Sequence, residues 1–240
     1  MPTQDDYEIG RTAHFYWSAE SGITTINNCD WIEKRGMPFL EKAYDLYKND
    51  LFKLGDVPRL PVRVTIMPST SCSGGISGAA SSGSLSYCAG EWNSNAYCYG
   101  ILAHELCNLF TGECISEGWP TEWWANHRSP FPTMAANEVI NRTASSYYRM
   151  WGNYSDPLVL MFDKMQREHK QMFQRMFQKM REFGVRLGGL RDPLLSHTIY
   201  YFMFYAAGGE VGRLFVVPPM PAINLREIKD LETKYGLGVI

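Results

Sequence analysis

The chain has 240 residues and a formal net charge of −2, with 20% charged, 45% hydrophobic and 14% aromatic residues. That composition can bury a sizeable core and excludes a disordered chain, and the near-neutral charge excludes a general electrostatic pull toward nucleic acid or an anionic membrane. No stretch nears the roughly 18 consecutive apolar residues of a membrane span, and the polar, acidic start Met1–Gly10 is unlike a signal peptide, which leaves the compartment open. The length fits one continuous domain, residues 1–240, with a sheet-containing part at 1–112 and a mainly helical part at 113–240. In a chain this long, Cys29, Cys72, Cys88, Cys98, Cys107 and Cys114 do not form a small disulfide framework; reduced thiols and one or two bridges both stay open.

In chain order, Thr12–Ser18 holds the aromatic run His14-Phe15-Tyr16-Trp17 and reads as a first strand. From Trp31 the pattern changes. Leu40, Ala43, Tyr44, Tyr47, Leu51 and Leu54 recur at three- and four-residue spacing, the stripe of an amphipathic helix closed by Gly55 and Pro58. Val62–Ile66 alternates apolar with polar residues and stops at Pro68, as a half-buried strand does. Ser69–Ser86, rich in Ser, Gly and Ala, reads as a cleft-lining loop that leads into a short strand near Leu85–Cys88. Tyr97–Phe110 keeps helical spacing at Ile101, Leu102, Leu106, Leu109 and Phe110 and ends at Thr111-Gly112. A proline-punctuated stretch, Gly118–Pro132, precedes a largely helical half. There Leu158–Phe183 is the longest periodic segment, Ile199–Ala207 a buried helix, Val217–Pro221 a loop and Leu225–Tyr235 a short charged helix. The fold class is α+β, a small mixed sheet packed on one motif-bearing helix and followed by a mainly helical C-terminal half.

That helix carries His104-Glu105-Leu106-Cys107-Asn108. Residues four apart share a helix face, so ligands at positions 104 and 108 converge on one metal while the glutamate beside the first polarises a bound water. His104 is a candidate zinc ligand and Glu105 a candidate general base. A carboxylate on a following segment commonly completes such a site. Glu122, in Trp119-Pro120-Thr121-Glu122-Trp123-Trp124-Ala125, is the natural candidate.

With these residues the chain resembles the gluzincin metallopeptidases, the peptidase MA-like group, whose pattern is His-Glu-x-x-His followed by Pro-x-Trp-x-x-Glu-Gly-x-Ala. The order of aromatic strand, long helix, strand, Gly-rich turn and metal helix is similar as well, so the resemblance covers Thr12–Pro132 and, more loosely, the C-terminal helices. It implies that His104 and Glu122 ligate zinc and that Glu105 activates a metal-bound water to cleave a peptide or protein substrate. Glu117 rivals Glu122, because Glu117-Gly118 keeps the Glu-Gly pair.

The chain departs from the family at position 108, where Asn108 replaces the second histidine and offers a carboxamide oxygen, a harder and weaker zinc ligand than imidazole. Three donors stay open as the replacement: Asn108 through its oxygen, His127 from the segment before Pro130, or a Cys107 thiolate, the last pointing away from the line that joins 104 and 108. With none of them in place, the resemblance implies an inactive fold that serves as a binding or structural module.

Other features have plainer readings. Trp119, Trp123 and Trp124 are packing residues before they are the wall of a substrate cleft. Met161, Met165, Met172, Met176 and Met180, interleaved with Phe162, Phe173 and Phe177, fit a core face, and an exposed methionine face would instead mark a helical interaction protein. The basic residues of that segment are interspersed with Asp163, Glu168 and Glu182, as on a solvated face. His14, His169 and His197 stand alone and read as structural; His197, near Tyr200 and Tyr201, has a second reading as an oxyanion donor.

Overall fold

The computed structural model of the chain describes residues 7–20, 29–53, 60–68, 78–81, 83–88, 96–115, 130–143, 157–185, 194–208 and 224–239. Its sheet comprises β1 (Tyr7–Arg11), β2 (Phe15–Ala19), β3 (Val62–Met67), β4 (Gly78–Ser81) and β5 (Ser84–Cys88), in the order β1-β2-β3-β5-β4. The three inner strands run parallel, and β1 and β4 are antiparallel edges. Period-two alternation puts Phe15 opposite Val62, Trp17 opposite Val64, Val64 opposite Leu85 and Ile66 opposite Tyr87, all buried on one face.

The first strand starts later than its aromatic run predicts, because Thr12 donates its N–H to the Phe15 carbonyl (2.9 Å) and closes a turn there. A strand at Tyr7–Arg11 was not expected. It is an edge strand with Tyr7, Glu8 and Arg11 exposed, so no apolar alternation marks it.

The expected amphipathic helix begins earlier and ends sooner than its apolar stripe suggests. It runs as α1 (Cys29–Trp31), a π-helical turn Ile32–Gly36, α2 (Met37–Asp45) and a second π-helical turn Leu46–Asp50. Pro38 at the start of α2 has no N–H to offer the helical ladder. Leu40, Ala43, Tyr44, Tyr47 and Leu51 are buried as their spacing predicts.

Helix α3 (Ala96–Ile115) carries the motif and passes through Thr111-Gly112 instead of stopping. Its preceding turns are buried nearly all round at Leu102, Ala103, Leu106, Cys107, Leu109 and Phe110. Such burial outweighs the cost of about 1 kcal/mol that an internal glycine imposes relative to alanine. The sheet and α2 lie against it, and α4 (Pro130–Thr143) packs along it.

The long Leu158–Phe183 segment divides into α5 (Pro157–Glu168) and α6 (Met172–Glu182), with Gln171 in the left-handed region at φ 64°. Met161, Met165, Met172, Met176 and Met180 are buried, so the methionine face is core and the exposed-face reading is overturned. The polar face of α6 satisfies the carbonyls that end the second π turn. Gln174 Nε2 donates to Leu51 O (2.9 Å) and to Asp50 O, and Arg181 Nη2 donates to Lys53 O (2.6 Å). Those bonds tie the helical half to the sheet half.

Helix α7 (Leu194–Ala206) starts before the expected Ile199, and α8 (Leu225–Tyr235) matches its predicted bounds, capped by Asn224 Oδ1 on Arg226 N–H (3.0 Å). Cys88 is disulfide-bonded, and Cys98 and Cys107 are buried as reduced thiols. No described helix is long and apolar enough to cross a membrane.

Candidate functional site

Successive side chains on a helix are rotated by about 100°, so His104 and Glu105 leave α3 in different directions. His104 is buried, with Nδ1 3.4 Å from Oγ1 of Thr133 on α4. Glu105 reaches the edge strand β4, where the Ala80 N–H donates to its carboxylate. Asn108, one turn beyond, turns its amide nitrogen to the same carboxylate and donates to Oε2 at 3.2 Å.

Gly78 explains how β4 comes this close. A Cβ there would lie 2.7 Å from Glu105 Cγ and 2.8 Å from Tyr87 Cδ1, so only glycine fits without displacing either. Two buried phenols hold the helix itself. Tyr87 on β5 donates its hydroxyl to Leu102 O (3.1 Å), and Tyr47 in the second π turn donates to Ala103 O (3.1 Å). The residues just before His104 are thereby pinned from the sheet and from the α2 side.

Burial sets the charge states. It lowers the His104 imidazole to about 4, so this side chain is neutral near pH 7. It raises the Glu105 carboxyl above its ordinary value, against the opposing pull of the Asn108 and Ala80 donors. The Cys107 thiol is pushed well up, by burial first and by Glu105 second.

Against the needs of zinc, His104 fits: a ligating histidine must be neutral, and a second-sphere partner on its other nitrogen is the usual arrangement. At position 108 the amide nitrogen is engaged with Glu105, and the carboxamide oxygen is the remaining donor atom of that side chain. His104 and the Asn108 oxygen are by their chemistry two of the four donors that a zinc site takes. Glu122, Glu117 and His127, together with Trp119, Trp123 and Trp124, lie outside the described residues. Among the described residues no cluster of three or more His, Cys, Asp or Glu side chains is placed to hold a metal ion.

The isolated histidines behave structurally. His197 is buried and its Nε2 accepts the Asn224 N–H (2.8 Å). His14 bonds Glu41 through Nδ1 (2.6 Å) and stacks on Tyr44. Thr133, Ala80, Gly78, Tyr47 and Tyr87 enter the site although the sequence marks none of them as a site residue: Gly78 and Ala80 fall in the segment read as a loop, and Tyr47 reads as part of the helix stripe. Comparison with protein-family models, with curated proteins and with solved structures returned no match.

Proposed function

We propose that the chain is a zinc-dependent hydrolase of peptide bonds with a gluzincin-like site, in which His104, Asn108 and Glu122 hold the metal and Glu105 is the general base. The observation that carries this reading is the pair His104 and Glu105, adjacent on α3, the first buried and the second half-buried, each with a specific partner. Burying two ionisable side chains is costly, and such pairs concentrate where chemistry is done. Zinc, when bound, supplies a Lewis acid that polarises the scissile carbonyl. Glu105 takes a proton from the attacking water and passes it to the leaving nitrogen, for which a raised carboxyl is suited. Asn108 and the Ala80 N–H fix the carboxylate during both transfers.

A peptide substrate is supported by β4, the terminal strand of the sheet beside Glu105. An extended chain can add to such an edge by main-chain hydrogen bonds. Glu122 would come from the segment outside the described residues, with Glu117 as its rival there and His127, from the same segment, as the alternative to Asn108. The test is turnover of a mixed peptide library by wild type and Glu105→Gln. Cleavage that disappears in the folded variant supports the assignment, and equal cleavage by both removes it.

A second reading, an inactive module on the same scaffold, is favoured by one contact. The Asn108 amide occupies Glu105 Oε2, the atom a base would need to keep accessible. Peptide binding without cleavage, in a protein that carries no zinc, would establish that reading.

A further inference from the structure

A groove of about 400 Å³, a size that holds small molecules, opens where α4, the end of α5 and the start of α6 meet the second π turn. None of its lining residues belongs to the site around His104 and Glu105. Several of its polar groups are already engaged within the protein. Arg142 Nη1 pairs with Asp50 (2.7 Å), Arg167 Nη2 pairs with Asp163 (2.5 Å), and the Gln174 amide donates to the Asp50 and Leu51 carbonyls.

Three lining groups are not engaged. Glu138 is half-buried on α4, yet its carboxylate forms no hydrogen bond or ion pair among the described residues. Burial pushes its carboxyl up, against the pull of Arg142 and Arg167. Gln166 on α5 has a buried Oε1 with no donor. Lys170, exposed in the turn after α5, has no ion pair among the described residues. Buried acceptors without donors are costly, and each calls for a partner from outside the chain. Gln171 holds this turn in the left-handed region at φ 64° and makes no side-chain capping bond to α6, so the positive end of the α6 dipole borders the groove next to Lys170.

The unengaged groups are of both signs, which narrows the ligand. A phosphate or other polyanion would meet Glu138 and Asp50, and a metal ion lacks a cluster of three ligands among the described residues. A molecule that carries both an ammonium group and a carboxylate satisfies both kinds of group. We propose that this groove binds free α-amino acids, with the ammonium group held by Glu138 and the Gln166 carboxamide oxygen and the carboxylate held by Lys170 at the start of α6. The site does not depend on the zinc reading above.

Ligand-observed NMR with the common L-amino acids at millimolar concentration selects the binder, and calorimetry compares it with its amide and its N-acetyl derivative. The free amino acid should bind wild type, and removal of the charge at either end should weaken it about tenfold or more. Glu138→Gln and Lys170→Met, checked for folding by their thermal melts, should each weaken the free amino acid by a similar factor, while Lys170→Met leaves the affinity for the amide unchanged. His104→Ala should bind as wild type does. No binding of any amino acid, an amide that binds as tightly as the free acid, or folded groove variants with wild-type affinity overturns the proposal. Binding lost in folded His104→Ala would also overturn it, by placing the amino acid at the candidate zinc site.

Discussion

The amide nitrogen of Asn108 lies 3.2 Å from Oε2 of Glu105 and donates to it, so the residue that replaces the expected second histidine is tied to the candidate base. A histidine at 108 would exchange that bond for a stronger metal ligand. Asn108→His should bind zinc at least about tenfold more tightly than wild type, a gain of about 1.4 kcal/mol. Chelator competition measures it, and equal affinities would mean that position 108 does not face the metal.

Gly78→Ala places a methyl group 2.7 Å from Glu105 Cγ and 2.8 Å from Tyr87 Cδ1, so Glu105, Tyr87 or β4 itself must shift. Overpacking of this kind costs about 1–3 kcal/mol. Urea denaturation should register that loss, together with reduced peptide turnover, because the carboxylate is pushed from its place beside Ala80.

Tyr47→Phe and Tyr87→Phe each remove one buried hydroxyl from consecutive carbonyls of α3. Each should cost about 0.5–1.5 kcal/mol, since the carbonyls keep their helical partners. The double variant measured against the singles tells whether the two phenols brace the helix independently.

Acid should loosen the attachment of β2 to α2. Glu41 accepts the His14 backbone N–H (2.9 Å) and Nδ1 (2.6 Å). Burial raises its carboxyl, but the hydrogen bonds from Thr12 and His14 outweigh it, so the folded pKa lies below the usual 4.5. A lowered folded value adds stability that is complete above the unfolded pKa and is lost as pH falls through the folded one. Near neutral pH, Glu41→Gln should therefore be less stable than wild type by about 1 kcal/mol, discounted for the carboxylate's partial exposure. Denaturation repeated near pH 3 should show the gap closing; a gap that stays constant would assign the loss to packing.

Much of the sheet and of the motif helix is legible in the sequence, because Val62–Ile66 alternates cleanly and the apolar residues of α3 keep helical spacing. Edge strand β4 is not, since Gly78-Ala79-Ala80-Ser81 has no side chains large enough to alternate. The break between α5 and α6 is hidden as well. It depends on Gln171 adopting a left-handed backbone, which glycine or asparagine would have announced. His104 and Glu105 stand out at the level of chemistry, but their partners come from other elements. Thr133 is 29 residues from His104, and no local pattern encodes such a contact.

Metal content decides most directly. Folded wild-type protein purified without added zinc should carry near-stoichiometric zinc by elemental analysis, and folded His104→Ala should carry almost none. Metal-free wild type that gains zinc only as Asn108→His would contradict the peptidase assignment and leave a scaffold that binds without cleaving.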